Sequence, residues 1–190
     1  MLKGKKVLLG ITASIAAYKA AELVRLLKKS GAFIKVIQTE ASLNFIPSLT
    51  LSTLSENPVL SEMVDNETGE WISHVELGLW ADFMIIAPVT ANTMAKMTIG
   101  ECDNLLLATY LSAKCPVYFA PAMDLDMYKH PSTSKNIQKL EAFGNKLIPS
   151  GFGELASGLV GEGRMAEPSE ILKYIITDLS KKLSFSQKNI

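Results

Sequence analysis

Apolar residues fall along this chain in short unbroken runs, each followed by a polar turn and then by a stretch with helical spacing. Residues 7–11, Val-Leu-Leu-Gly-Ile, form such a run between lysines and a Thr-Ala-Ser turn. That is the pattern of a strand buried on both faces of a parallel sheet. Over 15–29, Ala16, Ala20, Leu23 and Leu27 recur at three- and four-residue intervals, with basic residues late and Gly31 beyond, which predicts the first helix and its stop. Further strands are expected at 33–37, 82–87, 117–120 and 146–148, with Pro88, Pro121 and Pro149 ending three of the ladders because they carry no N–H. Alternation of this kind predicts βαβ units and a single α/β domain over residues 1–178, a flavodoxin-like, Rossmann-type doubly wound parallel sheet. Residues 179–190 are expected to be a polar tail or linker stub.

Open α/β sheets bind ligands at the carboxyl ends of their strands, where strand order reverses. Four loops on that edge are rich in small polar residues: Thr12-Ala13-Ser14, Thr39, Thr90-Ala91-Asn92-Thr93 and Ala122-Met123-Asp124. The first joins a strand to a helix, so free amides and the Ser14 hydroxyl converge where a helix start favours an anion; equally, Thr12 or Ser14 serves only as a helix cap. Thr90 repeats the arrangement as an N-cap, with Asn92 or Thr93 able to donate to a ligand. The second strand ends at Thr39, where no carboxylate is placed for a ribose diol, so a mononucleotide such as FMN is expected rather than a dinucleotide.

The 190 residues carry 19 Lys+Arg against 19 Asp+Glu, a balance that points to neither nucleic acid nor a membrane surface. No apolar run reaches the roughly 18 residues of a membrane span. The start, MLKGKK followed by VLLGITASIAA, imitates a signal peptide, but the turn at 10–14 and the charged Lys19, Glu22 and Arg25 favour a strand and a helix. Cys102 and Cys115 are the only cysteines and show no metal-ligand spacing, so no metal site is expected and a reducing cytoplasm fits.

Several ordered segments together resemble the flavin-containing cysteine decarboxylases, most closely the phosphopantothenoylcysteine decarboxylases. They are GITASIAAYK from Gly10, Ser73-His74-Val75-Glu76-Leu77, APVTANT from Ala87, PAMDLDM from Pro121 and GLVGEGRMAEP from Gly158. The resemblance covers about residues 3–178. It implies FMN held by Ala13, Ser14, Ile15, Thr39, Pro88, Thr90, Ala91, Asn92, Thr93 and Ala122. It also implies a trimer, often assembled into a dodecamer, with the flavin near a subunit interface, and a chain that continues into a fused synthetase domain. The implied reaction oxidises the substrate thiol to a thioaldehyde, and the carboxylate β to it then leaves as CO2. For 4'-phosphopantothenoylcysteine, reduction of the enethiol gives 4'-phosphopantetheine, a step in coenzyme A biosynthesis.

By the same resemblance His74 is the catalytic histidine, suited by its near-neutral pKa to move a proton or polarise the carboxylate. Trp71 and Trp80 bracket it in sequence, while Met94, Met97, Met123 and Met127 supply adaptable apolar surface. Met127, Arg164, Asp124 and Ser157 are the implied substrate contacts; Asp124 and Ser157 are implied catalytic residues as well, and both depart from the family pattern. Where the family has an asparagine that holds the substrate carboxylate, Asp124 would repel it unless protonated or turned toward a basic or amide partner. Ser157 stands where a flap cysteine supplies a proton, and serine is a far poorer acid. Gly151, Gly153, Gly158, Gly161 and Gly163 suggest a flexible flap. Cys102 is either a substitute acid or a small buried hydrophobe. The departures keep three other readings open: a non-catalytic FMN-binding regulator, a peptidyl-cysteine decarboxylase and a flavin prenyltransferase.

Overall fold

The computed structural model describes residues 2–65 and 67–186. The chain begins β1 (Lys6–Ile11), α1 (Lys19–Lys29), β2 (Phe33–Gln38), α2 (Ser48–Ser55) and β3 (Val59–Leu60). It continues α3 (His74–Trp80), β4 (Phe83–Val89), α4 (Ala91–Ile99), α5 (Leu105–Ser112) and β5 (Val117–Pro121). Then come α6 (Leu125–Lys129), α7 (Pro131–Ala142), β6 (Lys146–Leu147), the hairpin strands β7 (Gly151–Glu154) and β8 (Val160–Arg164), and α8 (Pro168–Ser186).

Strands one to six form a parallel sheet in the order β3-β2-β1-β4-β5-β6. The five long-expected strands alone have the flavodoxin order, and the short β3, unanticipated from sequence, extends it to the Rossmann one. Because β1 is hydrogen-bonded on both sides, every residue of it after Lys6 is buried. Successive side chains point to opposite faces. Val7, Leu9 and Ile11 join Leu23, Leu27 and Ile171 on the face covered by α1, α2 and α8, whereas Leu8 joins Ile86, Leu106 and Phe119 on the face covered by α3, α4, α5 and α7.

Several boundaries differ from the expectation. Gly10 lies inside β1, as the run at 7–11 predicts, rather than starting the turn expected at 10–14; a Cβ there would come within 2.4 Å of Leu106 Cδ1, so its smallness serves the packing of α5 on the sheet. Pro88 and Pro121 lie within β4 and β5 rather than after them, and the ladder between those strands shifts register between Ile86 and Val89, which accommodates the missing N–H. Residues 179–186, expected in a polar tail, continue α8, while 187–190 lie outside the described residues. Ile171 and Ile175 are core residues, with Ile176 and Leu179 packed behind them, so helical spacing outweighs polar composition here.

The chain leaves β1 toward β2 and leaves β4 toward β5, so the two loops diverge and open a crevice between them. Thr12, 1% exposed, ties its walls together. Its hydroxyl donates to the Pro88 carbonyl at 2.8 Å and accepts the Thr90 amide at 3.0 Å, while its own amide donates to the same carbonyl at 3.2 Å. Thr12→Val keeps the shape but strips the hydroxyl, which leaves the Thr90 amide unpaired and the Pro88 carbonyl with the Thr12 amide alone. The expected loss is about 1–3 kcal/mol in urea titrations, against about 2–5 kcal/mol for the core substitution Leu9→Ala and under about 0.5 kcal/mol for Leu49→Ala, which is 76% exposed.

Candidate functional site

Two cavities open on the carboxyl edge of the sheet, and the loop after β1 is the wall between them. Ala13 faces one, whereas Ser14 and Ile15 face the other. The cavity on the Ala13 side, about 270 Å³, is otherwise lined by Thr39, Glu40 and Ala41, by Thr90, Asn92 and Thr93 of the β4–α4 turn, and by Lys96, Asp103 and Asn104. The Thr90 hydroxyl caps α4 by accepting the Thr93 amide at 3.2 Å. This leaves the amides of Ala91 and Asn92 as first-turn donors without a partner inside the helix, aimed where an anion is favoured. Glu40, one residue past Thr39, supplies a carboxylate beside the second strand that the sequence reading did not count.

The cavity on the Ser14 side, about 380 Å³, is walled by Ser14, Ile15 and Tyr18, by Ala122, Met123 and Asp124 after β5, and by Glu154, Leu155, Ala156 and Arg164 of the hairpin. Ser14 caps the turn that follows, its Oγ accepting the Ala16 amide at 3.3 Å, so its hydroxyl hydrogen can still donate into the cavity. Cap and ligand donor, alternatives from sequence, are therefore compatible roles. The donor set fits a flavin mononucleotide: hydroxyls and helix-start amides for a phosphate, and an apolar rim at Ile15, Met123 and Leu155 for a ring.

The hairpin β7–β8 is antiparallel and docks on the loop after β5 through glycines. A Cβ on Gly161 would lie 2.4 Å from Leu125 Cδ1, and one on Gly163, whose φ is +125°, would lie 2.5 Å from the Met123 carbonyl. The Gly163 carbonyl in turn accepts the Met123 amide at 3.0 Å. Glycine thus permits close approach at these positions, not only flexibility.

Asp124 caps α6, with Oδ1 accepting the Leu125 amide at 2.6 Å; of the possibilities raised by its departure from pattern, an amide partner is the one found. Ser157 sits at the exposed hairpin tip, its Oγ accepting the Leu159 amide at 3.4 Å, and it does not line the cavity although Glu154, Leu155 and Ala156 do. Met127 is 52% exposed and lines neither cavity, and neither do Pro88 and Ala91. Met94 and Met97 are buried core rather than site surface, while Met123 does line the cavity. Cys102 is exposed in the turn before α5, not buried in a helix.

His74 is the first residue of α3, whose N-cap Ser73 accepts the Glu76 amide at 3.2 Å. It lines neither cavity. Its Nδ1 is buried without a hydrogen-bond partner, and the Trp71 ring meets it edge-on at 5.8 Å. Trp80 does not bracket it in space: it ends the same helix and carries the ammonium groups of Lys35 and Lys6 on its face.

Behind the larger cavity, Lys19 is 5% exposed and donates to Glu167 Oε1 at 2.8 Å and to the Met165 carbonyl at 3.1 Å. Arg164 donates to the same Glu167 oxygen at 3.2 Å. This carboxylate therefore clasps α1, β8 and the start of α8, a residue role that no motif signals. The hydrogen bond from Lys19 holds the Glu167 carboxyl below the usual carboxylate range, and the charges of Lys19 and Arg164 add to the effect against desolvation. A depressed folded value means the clasp is fully stabilising at neutral pH and is lost as pH falls past the ordinary glutamate value and through the folded one. Melting temperatures of wild type and Glu167→Gln should thus differ at pH 7 and converge as the pH is lowered through about 4.

Among the described residues no helix is long and apolar enough to cross a membrane. A family model described as Flavoprotein matches residues 1–180. A cysteine/cysteine sulfinic acid decarboxylase from an unidentified prokaryote is 58% identical over 137 residues, 72% of this chain and 38% of that protein. The coenzyme A biosynthesis bifunctional protein of Haemophilus influenzae is 39% identical over 189 residues, all of this chain and 47% of that protein. The chain thus spans less than half the length of these two relatives. Among solved structures, a PPC decarboxylase mutant complexed with pantothenoylaminoethenethiol is 33% identical with a TM-score of 0.83, covering 94% of this chain and all of that one. The FMN binding protein AtHal3 is also 33% identical, with a TM-score of 0.81 over 94% of this chain and 98% of that one. With a matching family model along nearly its whole length and the crevice that such a cofactor needs, this chain belongs to the flavoprotein family.

Proposed function

We propose that this protein binds FMN and decarboxylates a cysteine-derived carboxylate. The observation that carries the proposal is the divided crevice at the switch point, with hydroxyls and helix-start amides on one side of the 12–15 loop and a cavity bearing Arg164 on the other. Bound FMN would supply the two-electron acceptor that turns the substrate thiol into a thioaldehyde, from which the β-carboxylate leaves as CO2. Ala13, Thr39, Thr90, Asn92 and Thr93, with the amide of Ala91, would hold one part of the cofactor. Ser14, Ile15 and Ala122 would hold the other. Among the described residues Arg164 has one side-chain hydrogen bond, to Glu167, and keeps donors for the substrate carboxylate.

His74 takes the proton-moving role. Its unpartnered buried Nδ1 is a polar atom without the hydrogen bond that burial normally demands. Beside it Trp71, Val75 and Leu79 are exposed, an apolar face suited to self-association. A trimer would let that face bring His74 to the cavity of a neighbouring copy.

Phosphopantothenoylcysteine is the substrate supported by the similarity to the coenzyme A protein and the PPC decarboxylase. A fused synthetase domain would accompany that role. The 58% identical relative, a cysteine/cysteine sulfinic acid decarboxylase, and the carboxylate of Asp124 in the cavity favour a second reading, a cysteine substrate without the pantothenoyl arm.

Purified protein reconstituted with FMN should turn yellow and release CO2 from a cysteinyl substrate. His74→Asn should keep the flavin and lose turnover by roughly 10²- to 10⁴-fold. Protein that refuses FMN, or a variant as fast as wild type, would defeat the proposal.

A further inference from the structure

Four charged side chains, Lys19, Asp124, Glu154 and Arg164, line the larger cavity, and their pairing is unequal. Both cations are committed: Lys19 and Arg164 donate to the same oxygen of Glu167. Among the described residues neither cavity carboxylate has a basic partner. Asp124 spends Oδ1 on the Leu125 amide, and among the described residues Oδ2 has no hydrogen-bond partner; Glu154, facing it from the hairpin, makes no ion pair. The uncommitted charge in the cavity is therefore negative. Arg164 uses one of its five N–H donors on Glu167 and has others to offer.

Asp124 is also held in place. Its carbonyl accepts the Tyr128 amide at 2.9 Å, and the preceding residue is bonded to Gly163 of the hairpin. A fixed carboxylate with a free oxygen, in the same cavity as an arginine with free donors, is complementary to both ends of a zwitterion. An N-acylated cysteine presents a neutral amide in place of the ammonium. A phosphorylated one would bring further negative charge into a cavity with no unpaired cation.

We infer that Asp124 selects a cysteine-type amino acid with an unacylated α-amino group, its Oδ2 receiving the substrate ammonium while Arg164 takes the α-carboxylate. The inference rests on the proposed decarboxylation, takes the second of its two substrate readings and names the residues that would enforce it. Glu154, at the end of β7, supplies a second negative charge to the same cavity.

The test compares FMN-loaded wild type and Asp124→Asn on L-cysteine and on phosphopantothenoylcysteine, following CO2. Wild type should favour free cysteine. Asp124→Asn should lower kcat/KM for free cysteine by about 10- to 100-fold, the worth of one charge-assisted hydrogen bond, and leave or raise that for the acylated substrate. A wild type that prefers the acylated substrate, or a preference unchanged by the substitution, overturns the inference while leaving the decarboxylase reading intact. Release of CO2 from neither substrate defeats the decarboxylase reading instead. Calorimetric binding of S-methylcysteine and N-acetyl-S-methylcysteine to wild-type holoprotein then decides, and also covers a variant that fails to fold. Tighter binding of the free amine supports the inference, and equal or weaker binding overturns it.

Discussion

The buried hydroxyl of Thr12 is the contact on which the site depends. Two adjacent parallel strands whose connections run in opposite directions would, without a tie, leave their terminal loops to splay. Thr12 joins the loop after β1 to the β4 backbone by three hydrogen bonds spanning Pro88 and Thr90. Thr90 is at once the recipient of that tie and the cap of α4, so the direction of the α4 amides is fixed by the same contact. The wall between the two cavities begins one residue later, at Ala13.

The other side of the site is built by backbone docking. The hairpin β7–β8 is a two-stranded sheet of its own and cannot bury an apolar face as the main sheet does; Phe152 is 77% exposed. What holds it is the approach allowed by Gly161 and Gly163 to Leu125 and Met123, together with the Glu167 clasp to α1. A flap held by a few directional contacts opens at low cost compared with a core element, which suits a lid over a substrate cavity.

The strands of the main sheet were legible because a doubly buried strand must be mostly apolar, and the runs at 7–11, 33–37, 82–87 and 117–120 are, with Lys35 and the leading Asp82 as their charged residues. Their prolines were misplaced by a residue or two, since the register shift that absorbs Pro88 leaves no mark in composition. The hairpin was invisible as strands because glycines at 151, 153, 161 and 163 remove the side-chain alternation by which strands are recognised. Lys19 and Glu167 were missed for a different reason. Their partnership spans 148 residues of sequence, and each reads locally as an ordinary charged helix residue. Of the site residues, Ser14, Thr39, Thr90, Asn92, Thr93, Ala122, Asp124 and Arg164 do meet at the crevice. Ser157 and Met127 do not, because the turn after β7 and the single turn of α6 face them to solvent.

The two departures from the family pattern have different physical weight. Ser157 lies on an exposed tip, and closing the flap would have to bring it inward before it could touch anything. Asp124 is already in the wall, anchored at both ends of its peptide and unable to swing away without breaking the α6 cap. A negative group in that position acts on every ligand that enters, attracting a cation and repelling an anion at close range. If the proposed function holds, substrate choice would therefore be set by the loop after β5 more than by the flap. The neutral amide that the family pattern has there suits a carboxylate, and the fixed carboxylate here suits the nitrogen next to it.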